Sequence, residues 1–110
     1  MGSSPPEGGF LRSGYPPKML RRLRRGDWRV EDELDLHGLN RVQAGQALGD
    51  FLDEAKARRL QCVRIVHGKG AGVLREALRA NLPARAEILA FVEAPPAQGG
   101  SGAVLVLLKP

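Results

Sequence analysis

The sequence CVRIVHGKGAG at residues 62–72 decides the fold. Its first half, Cys62–Val66, is a nearly continuous apolar run of the kind found in buried strands of parallel sheets. Its second half is a glycine-rich loop that leads into a helical apolar pattern, which begins at Val73 and ends near Pro83. A buried strand, a glycine loop and a helix in this order predict an α/β domain.

A similar unit precedes this one. Residues 34–37 (LDLH) alternate between apolar and polar side chains, which predicts a strand with one buried face that stops at Gly38. Asn40 and Gln43 have the spacing of a helix N-cap pair, and apolar residues recur at helical spacing over residues 41–59. A strand, helix, strand crossover nearly always joins parallel strands, so both strands are expected to end at the same edge of the sheet.

Two further strands complete the predicted domain. They are residues 87–93 and 103–108, joined by a loop rich in glycine and proline at residues 94–102. The element order over residues 31–110 is therefore β-α-β-α-β-β. This order predicts a mixed four-stranded sheet with helices packed against it.

Length and composition exclude several classes of protein. A chain of 110 residues holds one domain and a tail, and is too short for a multidomain enzyme. The single cysteine, Cys62, lies in the buried-strand pattern and has no partner for an internal disulfide. No apolar run approaches the roughly 18 residues of a membrane span, and no signal peptide is evident. The sequence thus predicts a cytoplasmic protein without a membrane partner.

The charge is concentrated near the N-terminus. The chain carries 17 Lys and Arg against 12 Asp and Glu, and seven of the basic but only two of the acidic residues lie in residues 1–30. Residues 1–16 are rich in Gly, Ser and Pro and are expected to be a disordered tail. Residues 17–30 are expected to form a basic arm with a short helix. Its candidates for phosphate binding are Arg21, Arg22, Arg24 and Arg25; a solvated basic linker is the alternative.

The predicted topology brings two polar clusters to one sheet edge. Asp35 and His37 end the first strand, and His67 follows the second strand. Ligands of open α/β sheets bind outside the carboxyl ends of the strands. The loop ahead of the second helix suits an anion, because helix N-termini present unpaired N–H groups and positive potential. The loop candidates for phosphate binding are Gly68, Lys69, Gly70 and Gly72.

These residue types fit the cleavage of a phosphodiester. Histidine side chains ordinarily titrate near neutral pH, so two of them can act as general base and general acid. The candidate catalytic residues are Asp35, His37 and His67. Asp35 can orient an imidazole, stabilise its cation or help to bind a divalent metal, and the sequence alone does not choose among these three roles. The Walker pattern, the dinucleotide-binding pattern and zinc-ligand spacing are absent from the sequence.

Three segments resemble the signature segments of the Smr (small MutS-related) domain family. They are LDLHG at residues 34–38, IVHGKG at residues 65–70 and GGSGA at residues 99–103, and the resemblance covers roughly residues 30–110. It implies a two-layer α/β sandwich like the C-terminal domain of the third translation initiation factor. It also implies nicking endonuclease activity on DNA or RNA.

The resemblance further implies roles for individual residues. In that family the segment with Asp35 and His37 is associated with cleavage, and the segment His67–Gly70 with substrate binding and activity. The chain is also similar to stand-alone bacterial Smr proteins, whose N-terminal extension has a basic run like Leu20–Arg25. Some of those proteins cut messenger RNA at stalled ribosomes.

The leading hypothesis is therefore a monomeric, cytoplasmic endonuclease that acts on RNA or DNA, with RNA favoured and the ribosome as a partner. A metal-independent route through histidine is preferred, and Mg²⁺-assisted hydrolysis competes with it. The alternative from another class is a non-catalytic module that binds nucleic acid or the ribosome. In either case we expect residues 1–26 to be removable without loss of the fold.

Overall fold

The fold is a mixed sheet of five strands with three helices. It is seen in a computed structural model that describes residues 9–70 and 72–110. Within these residues no helix is long and apolar enough to cross a membrane. The elements in chain order are β1 (Phe10–Leu11), α1 (Lys18–Arg25), β2 (Glu33–Asp35), α2 (Arg41–Ala57), β3 (Cys62–Val66), α3 (Val73–Asn81), β4 (Ile88–Glu93) and β5 (Ala103–Leu108).

The strand order across the sheet is β1-β4-β5-β3-β2. Strands β2 and β3 pair in parallel, with Asp35 opposite Val66, and every other pair is antiparallel. The predicted α/β class and the mixed sheet are confirmed. The parallel pairing also confirms that the two polar clusters follow strands that end at one edge.

Helix α2 starts where the sequence predicts because of its cap. The side chain of Asn40 accepts a hydrogen bond from the backbone N–H of Gln43, and the side chain of Gln43 accepts one from the N–H of Asn40. This reciprocal pair satisfies two helix donors that would otherwise be unpaired. Helices α2 and α3 then bury Leu48, Leu52 and Leu78 against one face of the sheet.

Helix α1 covers the opposite face of the sheet. Leu20 and Leu23 are buried there against residues that include Cys62 and Leu105. Cys62 is fully buried, and burial together with the charge of Glu31 raises the pKa of its thiol to about 11. The thiolate is therefore scarce at neutral pH, which agrees with a structural role for Cys62.

Residues 9–16 differ from the prediction in two ways. They add a fifth strand to the predicted four, and they are ordered where the sequence predicts a disordered tail. Phe10 and Leu11 form β1, which pairs with the edge of β4, and the ring of Phe10 stacks on that of Phe91 at 5.4 Å between centroids. The guanidinium of Arg12 donates to the carbonyl oxygens of Ile88, Pro83 and Arg85. Composition does not predict this strand, because the contacts that hold the segment come from only three side chains, those of residues 10–12. Residues 1–8 lie outside the described residues.

Leu23→Ala should destabilise the whole domain, because Leu23 is buried in the hydrophobic core between α1 and the sheet. We expect a loss of about 2–5 kcal/mol in the free energy of unfolding, measured by urea titration. Met19→Ala, at a half-buried position on the same helix, should cost less. An unchanged midpoint for Leu23→Ala would show instead that the arm is separable, as the sequence predicts.

Candidate active site

The carboxyl ends of β2 and β3 bring the two predicted clusters together. The N–H of Leu36 donates to the carbonyl oxygen of Val66 at 2.7 Å, which holds the segment after β2 against the end of β3. A Cβ placed on Gly68 would lie only 3.2 Å from the Cβ of His37. His37 and Gly68 are thus direct neighbours although about thirty residues separate them.

Asp35 fixes the orientation of His37. Its Oδ1 accepts hydrogen bonds from the backbone N–H of His37 at 3.0 Å and from ring Nδ1 at 2.7 Å. The hydrogen bond from the imidazole, followed by that from the backbone, lowers the pKa of Asp35. A carboxylate only accepts, so Nδ1 carries a hydrogen, and in the neutral ring Nε2 holds a lone pair. Both side chains are exposed, so Nε2 is open to a ligand.

His67 is placed differently, because its ring is buried. Its Nδ1 donates to the carbonyl oxygen of Gly68 at 2.8 Å, and the residue is only 6% exposed. Burial lowers the pKa of His67, and the positive charge of Arg75 acts in the same direction. The ring is therefore neutral at pH 7 and helps to shape the loop that follows it.

This burial predicts a pH dependence of stability. A histidine that resists protonation when folded but takes up a proton near pH 6.5 when unfolded stabilises the fold above that pH, and this stability is lost as the pH falls. We expect the free energy of unfolding to fall between pH 7.5 and 5.5. His67→Asn, which can still donate to Gly68 but cannot titrate, should lose less. Urea unfolding at both pH values measures this, and equal pH dependence in the two proteins would contradict it.

Gly102, in the third glycine-rich segment, contacts the loop that begins at His67. The carbonyl oxygen of Gly102 accepts hydrogen bonds from the N–H groups of His67 at 2.9 Å and Gly68 at 3.0 Å. A Cβ on Gly102 would come within 3.1 Å of Cγ of Lys69, so a side chain there would displace the lysine. Sequence reasoning omitted Gly102 from the site, although the third resembling segment, residues 99–103, contains it.

A surface cavity of about 360 Å³ lies between these elements. His37, His67 and Lys69 line it, and so does the first turn of α3. Cβ atoms on Gly70 or Gly72 would meet none of the described residues outside their own chain neighbours within 4 Å, so these two glycines face open space. Arg75 also lines the cavity and is a residue that the sequence analysis missed. The signal was an arginine three residues into the helix after the glycine loop.

Comparison with known proteins now identifies the fold family. The sequence model of the Smr domain matches residues 34–109. The chain belongs to the Smr domain family. The crystal structure of the Smr domain of Thermus thermophilus MutS2 is similar to it, with a TM-score of 0.70 and 40% identity over 72% of this chain and 99% of that one. Escherichia coli YdaL, a stand-alone small MutS-related protein, gives a TM-score of 0.83 at 29% identity, over 93% of this chain and 82% of that one.

Curated Smr proteins are also similar to the chain. Ribosome rescue factor SmrB of Serratia proteamaculans is 36% identical over 100 residues, which are 91% of this chain and 57% of that protein. SmrB of Pectobacterium carotovorum is 38% identical over 99 residues, or 90% and 55%. The chain thus spans about half the length of these relatives. A match of 100 residues in a chain of 110 must include residues 11–100, so the likeness to SmrB includes the arm.

The arm arginines lie outside the cavity of this Smr domain. Arg22 and Arg25 bond to Asp27 at 3.1 and 2.8 Å, and these bonds lower the pKa of that carboxyl to about 2. The guanidinium of Arg22 also lies over the ring of Trp28, 4.6 Å from its centroid. Arg21 is exposed and forms no ion pair with any residue that the structure describes.

Arg24 and the end of α1 have other neighbours. A Cβ on Gly9 would lie 3.2 Å from Nη2 of Arg24. A Cβ on Gly26, just after α1, would lie 3.9 Å from Nε2 of Gln98, in the loop that leads to Gly102. The end of the arm therefore lies near this loop, and the residues that line the cavity do not include the arm arginines.

The described residues do not form a ready metal cage. Asp35 is the carboxylate closest in sequence to the site histidines, and its Oδ1 is already bonded to His37. In residues 9–70 and 72–110, no three His, Cys, Asp or Glu side chains gather as metal ligands. Mg²⁺ prefers several oxygen ligands in an octahedron, so these side chains alone do not fit it.

Proposed function

We propose that this Smr protein is an endonuclease that cleaves the phosphodiester backbone of RNA in the cavity between His37 and Lys69. The observation that carries the proposal is the bond between Asp35 and His37. It fixes one imidazole with its free nitrogen exposed, beside a cavity that is suited to a phosphate. General-base catalysis needs such a group within reach of a substrate hydroxyl.

The charges around the cavity support a phosphate ligand. Lys69 and Arg75 both line it, and Arg75 has only a long contact of 3.9 Å with Glu93. Helix α3 begins at the cavity after Gly72, with no side chain capping its first N–H groups. Two cations and a helix N-terminus therefore converge where a phosphoryl group would sit.

The proposed reaction uses the 2′-hydroxyl of RNA as nucleophile. Nε2 of His37 takes the proton of the 2′-hydroxyl, a bond forms between O2′ and phosphorus, and the bond between phosphorus and O5′ breaks. O5′ takes a proton from solvent in the open cavity. The products are a 2′,3′-cyclic phosphate and a 5′-hydroxyl. Asp35 stabilises the imidazolium that forms, and Lys69 and Arg75 stabilise the added negative charge on phosphorus oxygens.

For His67 we propose a positioning role within this site. Its lowered pKa and its bond to Gly68 make it a poor proton donor at neutral pH. The same bond fixes the loop that carries Lys69. This assignment narrows the prediction from sequence, in which His67 is one of two proton-transfer groups.

The names of the curated relatives support the ribosome as the proposed place of action. The SmrB proteins that resemble this chain are named ribosome rescue factors, and the similarity includes the arm. We therefore propose that the protein acts in the cytoplasm on messenger RNA at ribosomes. The monomeric state expected from the sequence is kept as part of this proposal. The alternative activity that the Smr resemblance implies is the nicking of DNA.

Cleavage assays on several nucleic acids test the proposal. Purified protein is incubated with labelled single-stranded RNA, with plasmid DNA and with nicked DNA, each with and without EDTA. We expect RNA to be cut in the presence of EDTA and DNA to remain intact. DNA nicking that depends on Mg²⁺ would contradict the RNA route, and binding without cleavage would favour the non-catalytic module.

The arm should bind phosphates through its exposed arginines. Replacing Arg21 and Arg25 by Gln is expected to flatten the dependence of log K on log salt, by about 0.7 for each phosphate of a single strand that is no longer neutralised. Lys56→Gln with Arg59→Gln, at exposed positions near the far end of α2, is the matched control. Filter binding between 50 and 300 mM salt measures the slopes, and equal slopes would show that the arm does not bind phosphates.

A further inference from the structure

A second groove continues from the cavity across the start of α3. It has a volume of about 530 Å³ and shares Gly72 and Val73 with the cavity that holds His37 and Lys69. Beyond those two shared residues it is lined by Arg41 at the start of α2 and by Glu76, Ala77, Ala80 and Asn81 of α3. We call it the α2–α3 groove.

An exposed apolar side chain lies in the α2–α3 groove. Val73 lines the groove and is 53% exposed, which is unusual for a large hydrophobic residue. It lies in the first turn of α3, which begins at the site. Exposed apolar groups beside a polar cavity are typical of a ligand surface.

The groove is lined by both apolar and polar residues. Gly72, Ala77 and Ala80 have small side chains or none and leave room for a flat group, and Val73 adds apolar surface. Among the polar residues, the guanidinium of Arg41 donates hydrogen bonds, the carboxylate of Glu76 accepts them, and the amide of Asn81 does both. This is the pattern that a nucleobase requires, since its faces are apolar and its edges carry donors and acceptors.

Charge separates the roles of the two depressions. Lys69 and Arg75 favour a phosphate in the first cavity, which none of the described carboxylates lines, whereas in the groove Glu76 offsets the positive charge of Arg41. Because the two depressions meet at Gly72 and Val73, one nucleotide can place its phosphate in the first and the neighbouring base in the second. Apart from its neighbours in the chain, no protein atom that the structure describes lies within 4 Å of a Cβ built on Gly72, so an RNA strand can pass over the backbone at this residue.

We propose that the α2–α3 groove binds the base of the nucleotide next to the cleaved phosphate and so selects single-stranded substrate. This inference rests on the proposed function and adds the substrate class. A base can enter the groove only when it is unpaired and unstacked, since a paired base has its edge occupied. The protein should therefore prefer single strands and show a base preference on one side of the cut.

Filling the groove tests this inference. Ala80 is exposed, so Ala80→Leu should fold normally while its larger side chain fills part of the groove. Ala57→Leu is the matched control, because Ala57 is an exposed alanine at the other end of α2, about 24 Å from Arg41 at 1.5 Å per residue. The probes are a fluorescent RNA pentanucleotide and an abasic pentanucleotide of the same charge.

We expect Ala80→Leu to raise the Kd of the intact pentanucleotide about tenfold, within the range expected when one base no longer packs against the protein. It should leave the weaker binding of the abasic probe unchanged, and Ala57→Leu should match the wild type. On single-stranded RNA, Ala80→Leu should also lose the base preference beside the cut.

The outcomes separate this inference from the proposed function. If wild-type protein cleaves RNA but Ala80→Leu binds both probes like Ala57→Leu, the groove is not a base site. If wild-type protein does not cleave, yet prefers the intact probe and loses that preference in Ala80→Leu, the base site stands and the nuclease proposal fails. Loss of ribosome binding with unchanged probe binding in Ala80→Leu would overturn the inference in favour of a protein partner.

Discussion

His37→Ala is expected to lower the rate of RNA cleavage by about 10²–10⁴-fold, the usual contribution of a general base. The side chain of His37 is 70% exposed, and its side-chain hydrogen bond is to Asp35. Its removal should therefore leave the fold unchanged. The rate is measured in single-turnover cleavage of a labelled RNA, with urea unfolding as the check on stability.

Asp35→Asn is the companion variant for this prediction. It keeps an oxygen that can accept from the backbone N–H of His37, but it removes the charge that stabilises the imidazolium. Its rate should fall between those of wild type and His37→Ala. If wild type and His37→Ala gave the same rate and the same product pattern, the cleavage would come from another site or from a contaminating nuclease.

Arg75→Ala should have the second largest effect, a fall of about 10²-fold in kcat. Arg75 lines the cavity beside His67 and Lys69, where negative charge builds up on phosphorus oxygens as the reaction proceeds. Arg79→Ala is the matched control, because Arg79 is one turn further along α3 and does not line the cavity. The control should cleave at nearly the wild-type rate.

The same variant has a readout that does not depend on activity. The charge of Arg75 helps to lower the pKa of His67, so Arg75→Ala should raise that pKa while Arg79→Ala should not. Titration of the imidazole by NMR measures it. A drop in kcat with an unchanged His67 pKa would show that Arg75 does not lie beside His67. An unchanged kcat would show that Arg75 does not stabilise the transition state.

Much of the site could be predicted from sequence because its determinants are local. The apolar run Cys62–Val66 fixes a buried strand, and the crossover rule then places the end of β2 beside it. His37 and Gly68 become neighbours as a result. The cap formed by Asn40 and Gln43 needs only three residues of spacing, so it too is visible in the sequence.

The parts that sequence reasoning missed depend on tertiary contacts. Strand β1 has two residues, and it exists because the edge of β4 offers unpaired backbone groups. Arg75 reaches the cavity because α3 begins there and not because of a pattern of its own. The net charge of residues 1–30 likewise does not show that Arg22 and Arg25 are paired with Asp27.

The docking of α1 changes how the arm is understood. From composition the arm is expected to be a flexible segment that can be removed. In the structure Leu20 and Leu23 are buried, and α1 covers one face of the sheet. The arm is therefore expected to present its arginines from a fixed position. Its removal should destabilise the domain as well as weaken binding.

The chemical identity of the cut ends distinguishes attack by the 2′-hydroxyl of RNA from attack by water. Wild-type protein is incubated with RNA in EDTA, and the termini of any product are mapped by their sensitivity to phosphatase and to acid opening of a cyclic phosphate. Attack by the 2′-hydroxyl at the His37 site predicts 2′,3′-cyclic phosphate and 5′-hydroxyl ends that are absent with His37→Ala. Ends with a 3′-hydroxyl would show that water and not the 2′-hydroxyl attacks phosphorus, and cyclic ends that persist in His37→Ala would show that His37 is not the general base.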